Sequence, residues 1–207
     1  MATSGFPLSL KWTSWVAQHR QGWILLLASL LLAPPLFAAT TERPDDQMRQ
    51  LLIEAINASD SFEDRFDAEV WLTDMSNRLK RKVSDPGERL QILKTAHYEA
   101  TRAALPPELV LAVIDVESNF DRFAISSAGA RGLMQVMPFW LDEIGRPGDD
   151  LFDIHTNLRF GCTILKLYLD RERGNRSKAL ARYNGSVGKA WYPQRVFKAL
   201  WKRWYRQ

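Results

Sequence analysis

The sequence has little of the chemistry that disulfides and metal centres require. Its 207 residues include one cysteine, Cys162, and three histidines, His19, His97 and His155, which form no pair at metal-ligand spacing. One cysteine cannot form an internal disulfide, and a structural zinc site needs about four ligands. We therefore expect Cys162 to be a small buried residue, and we predict no metal and no cofactor.

Acidic residues are absent from the first 39 positions, which contain only two basic residues, Lys11 and Arg20. The apolar run at 23–33 is shorter than the ~20 apolar residues that a membrane-spanning helix requires. This pattern predicts an export signal at 1–39, cleaved near Thr40. If the run continues through the prolines that follow it, the segment is instead a membrane anchor. Either way, we expect the protein in the periplasm or elsewhere in the cell envelope.

Between positions 45 and 105 the alternating pattern of a β-strand is also missing, and helical periodicity dominates instead. It occurs in three amphipathic stretches, at about 46–58, 62–82 and 87–104. Turn-forming residues at 57–60 and 84–87 separate these stretches. We predict an all-α or mainly α protein with a helical extension at 40–86 and a main domain at 87–207. The extension is either packed on the main domain or a separate partner-binding module.

The first candidate for acid–base chemistry is Glu117. A helix should begin at the proline pair 106–107, because proline already has the required φ, and should run to about Ser118. Val113 and Ile114 precede Glu117 by four and three positions, so they share its helix face. Burial against hydrocarbon raises the pKa of a carboxyl group, so Glu117 could hold a proton near neutral pH. A solvated glutamate at the helix end is the alternative.

Short motifs follow this helix in a regular order. They are Glu117-Ser-Asn-Phe120, the segment Ser-Ser-Ala-Gly-Ala-Arg-Gly-Leu-Met-Gln-Val-Met-Pro at 126–138, and Ala181-Arg-Tyr-Asn-Gly185. Over about 90–196, the chain resembles the catalytic domain of the soluble lytic transglycosylases. The resemblance implies a lysozyme-like, mainly helical fold with a cleft, and cleavage of the peptidoglycan bond between N-acetylmuramic acid and N-acetylglucosamine.

The same resemblance implies roles for individual residues. Glu117 would be the single catalytic acid and base. The implied substrate-binding residues are Ser126, Met134, Gln135, Tyr183 and Asn184. Three of them have structural alternatives, with Met134 as core filler, Ser126 as a turn residue and Tyr183 as a packing aromatic. Arg182 and the pair 185–186 depart from the family pattern, so the sugar subsites near Tyr183 should differ.

Three further residues near the motifs are expected to serve the structure of the site. Gly129 and Gly132 would permit tight turns and close approach of the backbone to sugar. Asn157 would start the next helix and cap its free amides.

A second carboxylate, which glycoside hydrolysis normally uses, is hard to find. Asp121 is too close in sequence to Glu117 to be placed freely across a cleft, and Asp153 should cap the next helix. This fits substrate-assisted chemistry, in which the sugar's acetamide replaces the nucleophile and a 1,6-anhydro ring closes. The alternatives are a hydrolytic muramidase that uses Asp121 or Asp153 and a non-enzymatic cell-wall-binding assembly factor. We expect a monomer that acts on peptidoglycan glycan strands.

The C-terminal segment 195–206 mixes basic and aromatic residues. Phe197, Leu200, Trp201 and Trp204 recur at helical spacing, which predicts core packing with a solvated basic face. Weak attraction to anionic wall polymers or lipid headgroups is the alternative. The export signal argues against a nucleic-acid partner.

Overall fold

The computed structural model describes residues 50–53, residue 55 and residues 61–205. The predicted export signal, its cleavage position and the turn at 57–60 lie outside the described residues. The helices are α1 (Arg65–Leu79), α2 (Pro86–Arg102), α3 (Pro107–Glu117), α4 (Trp140–Ile144), α5 (Ile154–Arg171), α6 (Arg176–Tyr183), α7 (Trp191–Ala199) and a π-helix (Leu200–Trp204). Residues 50–53 and 55 are also helical. The described part contains no β-strand, so the prediction of a mainly helical protein is confirmed.

Four helix starts are capped by a side chain that accepts a backbone amide. These N-cap residues are Asp64 of α1, Asp85 of α2, Asp153 of α5 and Asn175 of α6. Aspartate and asparagine are favoured at this position because their oxygen satisfies an amide that has no partner within the helix. The caps explain why α1 and α2 begin within three residues of the predicted starts at 62 and 87.

The helix α3 is the centre of the core. It begins at the second proline of the predicted start and ends at Glu117, one residue before the predicted end. All seven residues from Leu109 to Asp115 are buried. The helix packs against α2, α7 and the π-helix, so it is enclosed on most sides, as a helix that is apolar all round must be.

The predicted N-terminal extension contributes to the same core. Trp71, Leu72, Met75 and Leu79 of α1 are buried, and α1 packs against α2 and the π-helix. All the described residues belong to one compact unit. The contacts of α1 favour packing on the main domain over a separate module.

The C-terminal segment differs from its prediction at one residue. Leu200 and Trp204 are buried and Phe197 is partly buried, but Trp201 is 61% exposed. The cause is the π-helix, which the amide of Tyr205 closes by donating to the carbonyl of Leu200 at 2.7 Å. A π-turn contains more residues than an α-turn, so the α-helical spacing that placed Trp201 in the core does not apply.

A buried carboxylate joins α3 to the turn after α1 and to the π-helix. Asp115 accepts hydrogen bonds from Nζ of Lys82 at 2.7 Å and from Nε1 of Trp204 at 2.8 Å, and Nε of Arg203 donates to the same carboxylate. The guanidinium of Arg78 donates to the backbone carbonyls of Arg203 and Tyr205 at 3.0 and 3.1 Å. The π-helix is therefore attached both to α3 and to α1.

None of the helices within the described ranges is long and apolar enough to cross a bilayer.

Candidate active site

Glu117 is the last residue of α3 and is partly buried. Burial raises the pKa of its carboxyl group above the ordinary value, while hydrogen bonds from Tyr192 and Asn184 and the charge of Arg195 offset only part of this effect. The Tyr192 hydroxyl donates to Oε1 of Glu117 at 2.5 Å. This environment agrees with a desolvated carboxyl group and not with a solvated helix end.

Tyr192 was not predicted as a site residue. It lies in the first turn of α7 and is buried, and burial and the charge of Glu117 raise the pKa of its phenol well above the ordinary value. The phenol therefore stays protonated and remains a donor. A signal existed, since a buried tyrosine usually finds a hydrogen-bond partner for its hydroxyl. The partner lies 75 positions away, however, so local spacing could not identify it.

The residues after Glu117 form a tight turn. Asn119 and Phe120 have φ of 53° and 69°, a left-handed conformation that is uncommon for residues other than glycine. The Ser118 hydroxyl donates to the carbonyl of Leu133 at 2.8 Å and accepts the amide of Phe120 at 3.1 Å. Ser118 therefore connects the end of α3 to the glycine-containing loop at 126–136.

Gly132 lies where that loop passes close to α5. Its φ is 75°, and a Cβ atom would lie 2.3 Å from Nδ2 of Asn157 and 2.4 Å from the carbonyl oxygen of Leu151. The side-chain Nδ2 of Asn157 donates to the carbonyls of Arg131 and Leu151. Its Oδ1 accepts the backbone N–H of Met134 at 2.8 Å. Glycine is thus required for close approach within the protein. Gly129 has a φ of 86° but open space around it, so only its backbone conformation favours glycine.

Asn157 has a structural role, but its predicted helix-capping role is wrong. The N-cap of α5 is Asp153, which accepts the amide of Thr156 at 2.8 Å, as expected for this aspartate. The backbone N–H of Asn157 donates to the carbonyl of Asp153 as part of the helix. Its side chain is therefore directed across to the loop instead of along the helix start.

Met134 is fully buried, so its side chain does not line a cleft as predicted. It packs against Gly161 of α5, where an added Cβ would lie 2.3 Å from the Met134 sulfur. Met134 is therefore a core residue, which was the structural alternative to a role in substrate binding. Its backbone does join the site, because the Tyr183 hydroxyl donates to the Met134 carbonyl at 2.7 Å.

Gln135 and Ser126 lie on the same loop but differ in the hydrogen bonds that their side chains form. Gln135 is partly exposed with a φ of 49°, and its Nε2 donates to the carbonyls of Ala124 and Gly132. Its Oε1 has no partner within 50–53, 55 and 61–205. Ser126 Oγ accepts the backbone N–H of Ala130 at 3.0 Å. This contact agrees with the structural alternative for Ser126, a turn residue. No hydrogen bond joins Ser126 to Glu117 in the described part of the chain.

The structure brings together residues from four places in the sequence, which are Glu117, the backbone of Met134, Tyr183 with Asn184, and Tyr192. Asp121 accepts the amide of Phe123 at 2.8 Å, in a local turn. In the ranges that the structure describes, no three His, Cys, Asp or Glu residues are grouped so that they could hold a metal ion.

A partly buried glutamate with a raised pKa, bound by a tyrosine donor in a helical domain, defines a candidate acid–base enzyme. The family described as "Transglycosylase SLT domain" matches residues 94–202, more than half of the chain. The chain belongs to this family, in agreement with the resemblance that its motifs showed.

Individual proteins are similar to parts of this chain. A protein of Enterobacteria phage PRD1 called "Transglycosylase" is 33% identical over 118 residues, which are 54% of this chain and 43% of that protein. The "Membrane-bound lytic murein transglycosylase C" of Actinobacillus pleuropneumoniae serotype 5b is 44% identical over 48 residues, 23% of this chain and 13% of that protein. The X-ray structure of an inactive mutant of the lytic transglycosylase Slt from Pseudomonas aeruginosa shares 24% identity with a TM-score of 0.42, over 76% of this chain and 27% of that chain. The chain spans less than half the length of these relatives.

Proposed function

We propose that this chain is a lytic transglycosylase that cleaves the β-1,4 bond between N-acetylmuramic acid and N-acetylglucosamine in peptidoglycan. The products would carry 1,6-anhydromuramic acid ends. The observation that carries the proposal is the partly buried Glu117, whose pKa is raised by burial and whose carboxyl group accepts the Tyr192 hydroxyl. Membership of the transglycosylase family supports this reading of the site.

In the proposed reaction, protonated Glu117 gives its proton to the glycosidic oxygen as the bond from that oxygen to the anomeric carbon breaks. The carbonyl oxygen of the neighbouring acetamide bonds to the anomeric carbon. The ionised Glu117 then removes the proton from the sugar's own 6-hydroxyl, and that oxygen displaces the acetamide. Glu117 regains its proton, and no water is consumed.

The surroundings of Glu117 suit both halves of this cycle. Burial keeps the carboxyl group protonated nearer to neutral pH than an ordinary glutamate, which the first step requires. Tyr192 and Asn184 stabilise the anion that the first step produces. A bound and oriented 6-hydroxyl has a large effective concentration, so it can compete with bulk water in the second step.

We propose that substrate is held by Ser126, Gln135, Tyr183 and Asn184, while Met134 contributes only through its backbone. The free Oε1 of Gln135 is an acceptor for an acetamide N–H or a sugar hydroxyl. The Tyr183 hydroxyl already donates to the Met134 carbonyl, so its ring, and not its proton, is the part offered to sugar.

The test is digestion of purified peptidoglycan sacculi, followed by mass spectrometry of the released fragments. Glu117→Gln removes the transferable proton and keeps the side-chain shape, so release of anhydro products should fall by at least about 100-fold with an unchanged circular dichroism spectrum. Glu143→Gln, at an exposed glutamate of α4, is the matched control and should retain activity. Unchanged release by the Glu117 variant would exclude this role, and products heavier by one water would indicate the hydrolytic alternative.

We also propose that the chain acts as a monomer in the cell envelope, exported by residues 1–39. Support comes from the acid-free, apolar character of that segment and from a relative that is named as membrane-bound. N-terminal sequencing of protein from the envelope fraction distinguishes cleavage near Thr40 from a retained anchor. Recovery of the intact chain from the cytoplasm alone would contradict export.

A further inference from the structure

The charge of this chain is strongly polarised along the sequence. Ten of the 28 basic residues and none of the 24 acidic residues lie after Glu172. The last 35 residues therefore carry a formal charge of +10, and the first 172 carry −6. Such asymmetry is typical of proteins with a polyanionic partner, and the small net charge of +4 conceals it.

A mainly apolar cavity of about 590 Å³ lies between α6 and α7, and all of its lining residues belong to this segment except Glu172, which is paired with Arg182. Its apolar lining includes Ala181, Val187, Ala190, Pro193 and Phe197. Glu117, Tyr183 and Tyr192 are not among the lining residues. The volume is within the range of small-molecule sites, which are mostly apolar.

An exposed aromatic pair follows the cavity-lining residues of α7 in the chain. Pro193 and Phe197 lie four positions apart on α7, so they share one side of it, and Trp201 follows in the π-helix. Trp201 is 61% exposed and Tyr205 is 50% exposed, and their ring centroids are 4.6 Å apart. We call this surface, from the cavity to Tyr205, the C-terminal strip.

Basic residues flank the C-terminal strip. Lys178 and Lys189 line the cavity, and Lys198 and Lys202 lie beside Phe197 and Trp201 in the sequence. All four lysines are exposed, and none forms an ion pair within the part of the chain that the structure describes. These charges are therefore available to an external anion.

We infer that the C-terminal strip docks onto an anionic lipid bilayer. The positive charge of the lysines favours an anionic partner, because lysines near a bilayer surface are attracted to anionic headgroups. The aromatic and apolar residues select a bilayer over a soluble polyanion, because tryptophan and tyrosine are favoured at the membrane–water interface. Lysine heads can reach the phosphates while apolar side chains enter the boundary of the acyl region.

The experiment uses the full chain, whose apolar run at 23–33 could bind the protein to any vesicle. It therefore measures contact between the bilayer and the C-terminal strip itself, and not binding of the whole protein. The only cysteine, Cys162, is fully buried, so a cysteine introduced at an exposed position is labelled selectively. Gln194→Cys places an environment-sensitive dye on the cavity lining, and Asp142→Cys places the same dye on α4 as the control. Vesicles contain phosphatidylcholine, with or without phosphatidylglycerol, and a phospholipid that carries a nitroxide quencher.

We expect the dye at position 194 to be quenched several-fold more than the dye at position 142, and only on vesicles with phosphatidylglycerol. Quenching should fall at about 1 M salt, where the Debye length is about 3 Å. Equal quenching at the two positions, or quenching without anionic lipid, would overturn the inference. An equal response to dextran sulfate in place of vesicles would assign the surface to a soluble polyanion.

Paired variants separate the two contributions to binding. Lys198→Gln with Lys202→Gln should weaken quenching at position 194 and reduce its salt dependence. Trp201→Ser with Tyr205→Ser should weaken it while leaving the remaining signal salt-dependent. The matched controls remove the same groups elsewhere, with Arg65→Gln and Arg146→Gln for charge and Phe66→Ser for an exposed aromatic. Control variants that lose quenching as strongly as the test variants would contradict docking by the C-terminal strip.

Discussion

Replacing Asp115 by alanine removes the carboxylate that connects α3 to Lys82 and to the π-helix. The side chain of Asp115 is 3% exposed, whereas those of Lys82 and Arg203 are 22% and 45% exposed. The two charged donors can therefore turn to water after the substitution, and each lost pair should cost at most about 1 kcal/mol. The indole N–H of Trp204 is buried with its ring, and leaving it unpaired should cost about 1–3 kcal/mol. We expect Asp115→Ala to lower the free energy of unfolding by about 2–4 kcal/mol.

Urea unfolding followed by circular dichroism measures this change. The matched control is Asp170→Ala, because Asp170 pairs with Lys166 at an exposed helix surface where its side chain is 62% exposed. That variant should lose about 0.5 kcal/mol or less. If Asp115→Ala lost no more than the control, the idea that the buried carboxylate holds the C-terminal segment would be wrong.

The effect of Asp115 should also depend on pH. Burial raises the pKa of its carboxyl group, but hydrogen bonds from Lys82, Trp204 and Arg203 outweigh burial, so the pKa is lowered below its ordinary value. A carboxylate with a lowered pKa stabilises the folded state fully above its unfolded pKa of about 3.9, and this contribution is lost as the pH falls through the folded pKa. The difference between wild type and Asp115→Ala should be constant near neutral pH and should shrink below about pH 4.

Three other substitutions or modifications have defined outcomes. Tyr192→Phe removes a donor that stabilises ionised Glu117, so the pKa of Glu117 should rise further. The alkaline limb of the pH–rate profile for muropeptide release should then move to higher pH. A limb that does not move would argue against the hydrogen bond. Gly132→Ala forces a Cβ into atoms 2.3 Å away at a positive φ and should cost about 2–4 kcal/mol in urea unfolding, whereas Gly129→Ala meets nothing within 4 Å and should cost about 1–2 kcal/mol. Similar losses for the two glycines would contradict this contact. Burial raises the pKa of the Cys162 thiol well above its ordinary value, so a thiol reagent should modify it only in denaturant; rapid reaction in the native state would show that the core opens there.

Features that depend on neighbouring residues were predictable from the sequence. The proline pair at 106–107 predicted the start of α3, and its apolar residues predicted that Glu117 would be desolvated. The turn residues at 84–87 predicted the break between α1 and α2, where Asp85 caps the second helix. Each of these signals acts over a few residues, where backbone preference and helical periodicity determine the outcome.

Features that depend on distant contacts were not predictable in the same way. Tyr192 reaches Glu117 across 75 positions, and nothing in its local sequence identifies that partner. Met134 stands in a motif that implied cleft lining, but its side chain enters the core because Gly161 on α5 leaves room for it. Trp201 matched an α-helical core pattern that the π-helix interrupts. In each case, tertiary packing determined where the side chain went, and motif or periodicity alone did not contain that information.

The network around Asp115 has a consequence for the order in which the protein can mature. Ribosomes make the chain from its N-terminus, so Asp115 is synthesised 88 and 89 positions before its donors Arg203 and Trp204. A nascent chain that lacks those two residues has a carboxylate destined for the interior with only Lys82 to neutralise it. We therefore expect the domain to complete its interior only when translation is nearly finished, and a chain that stops before position 203 should be cleaved by proteases more readily than the full chain.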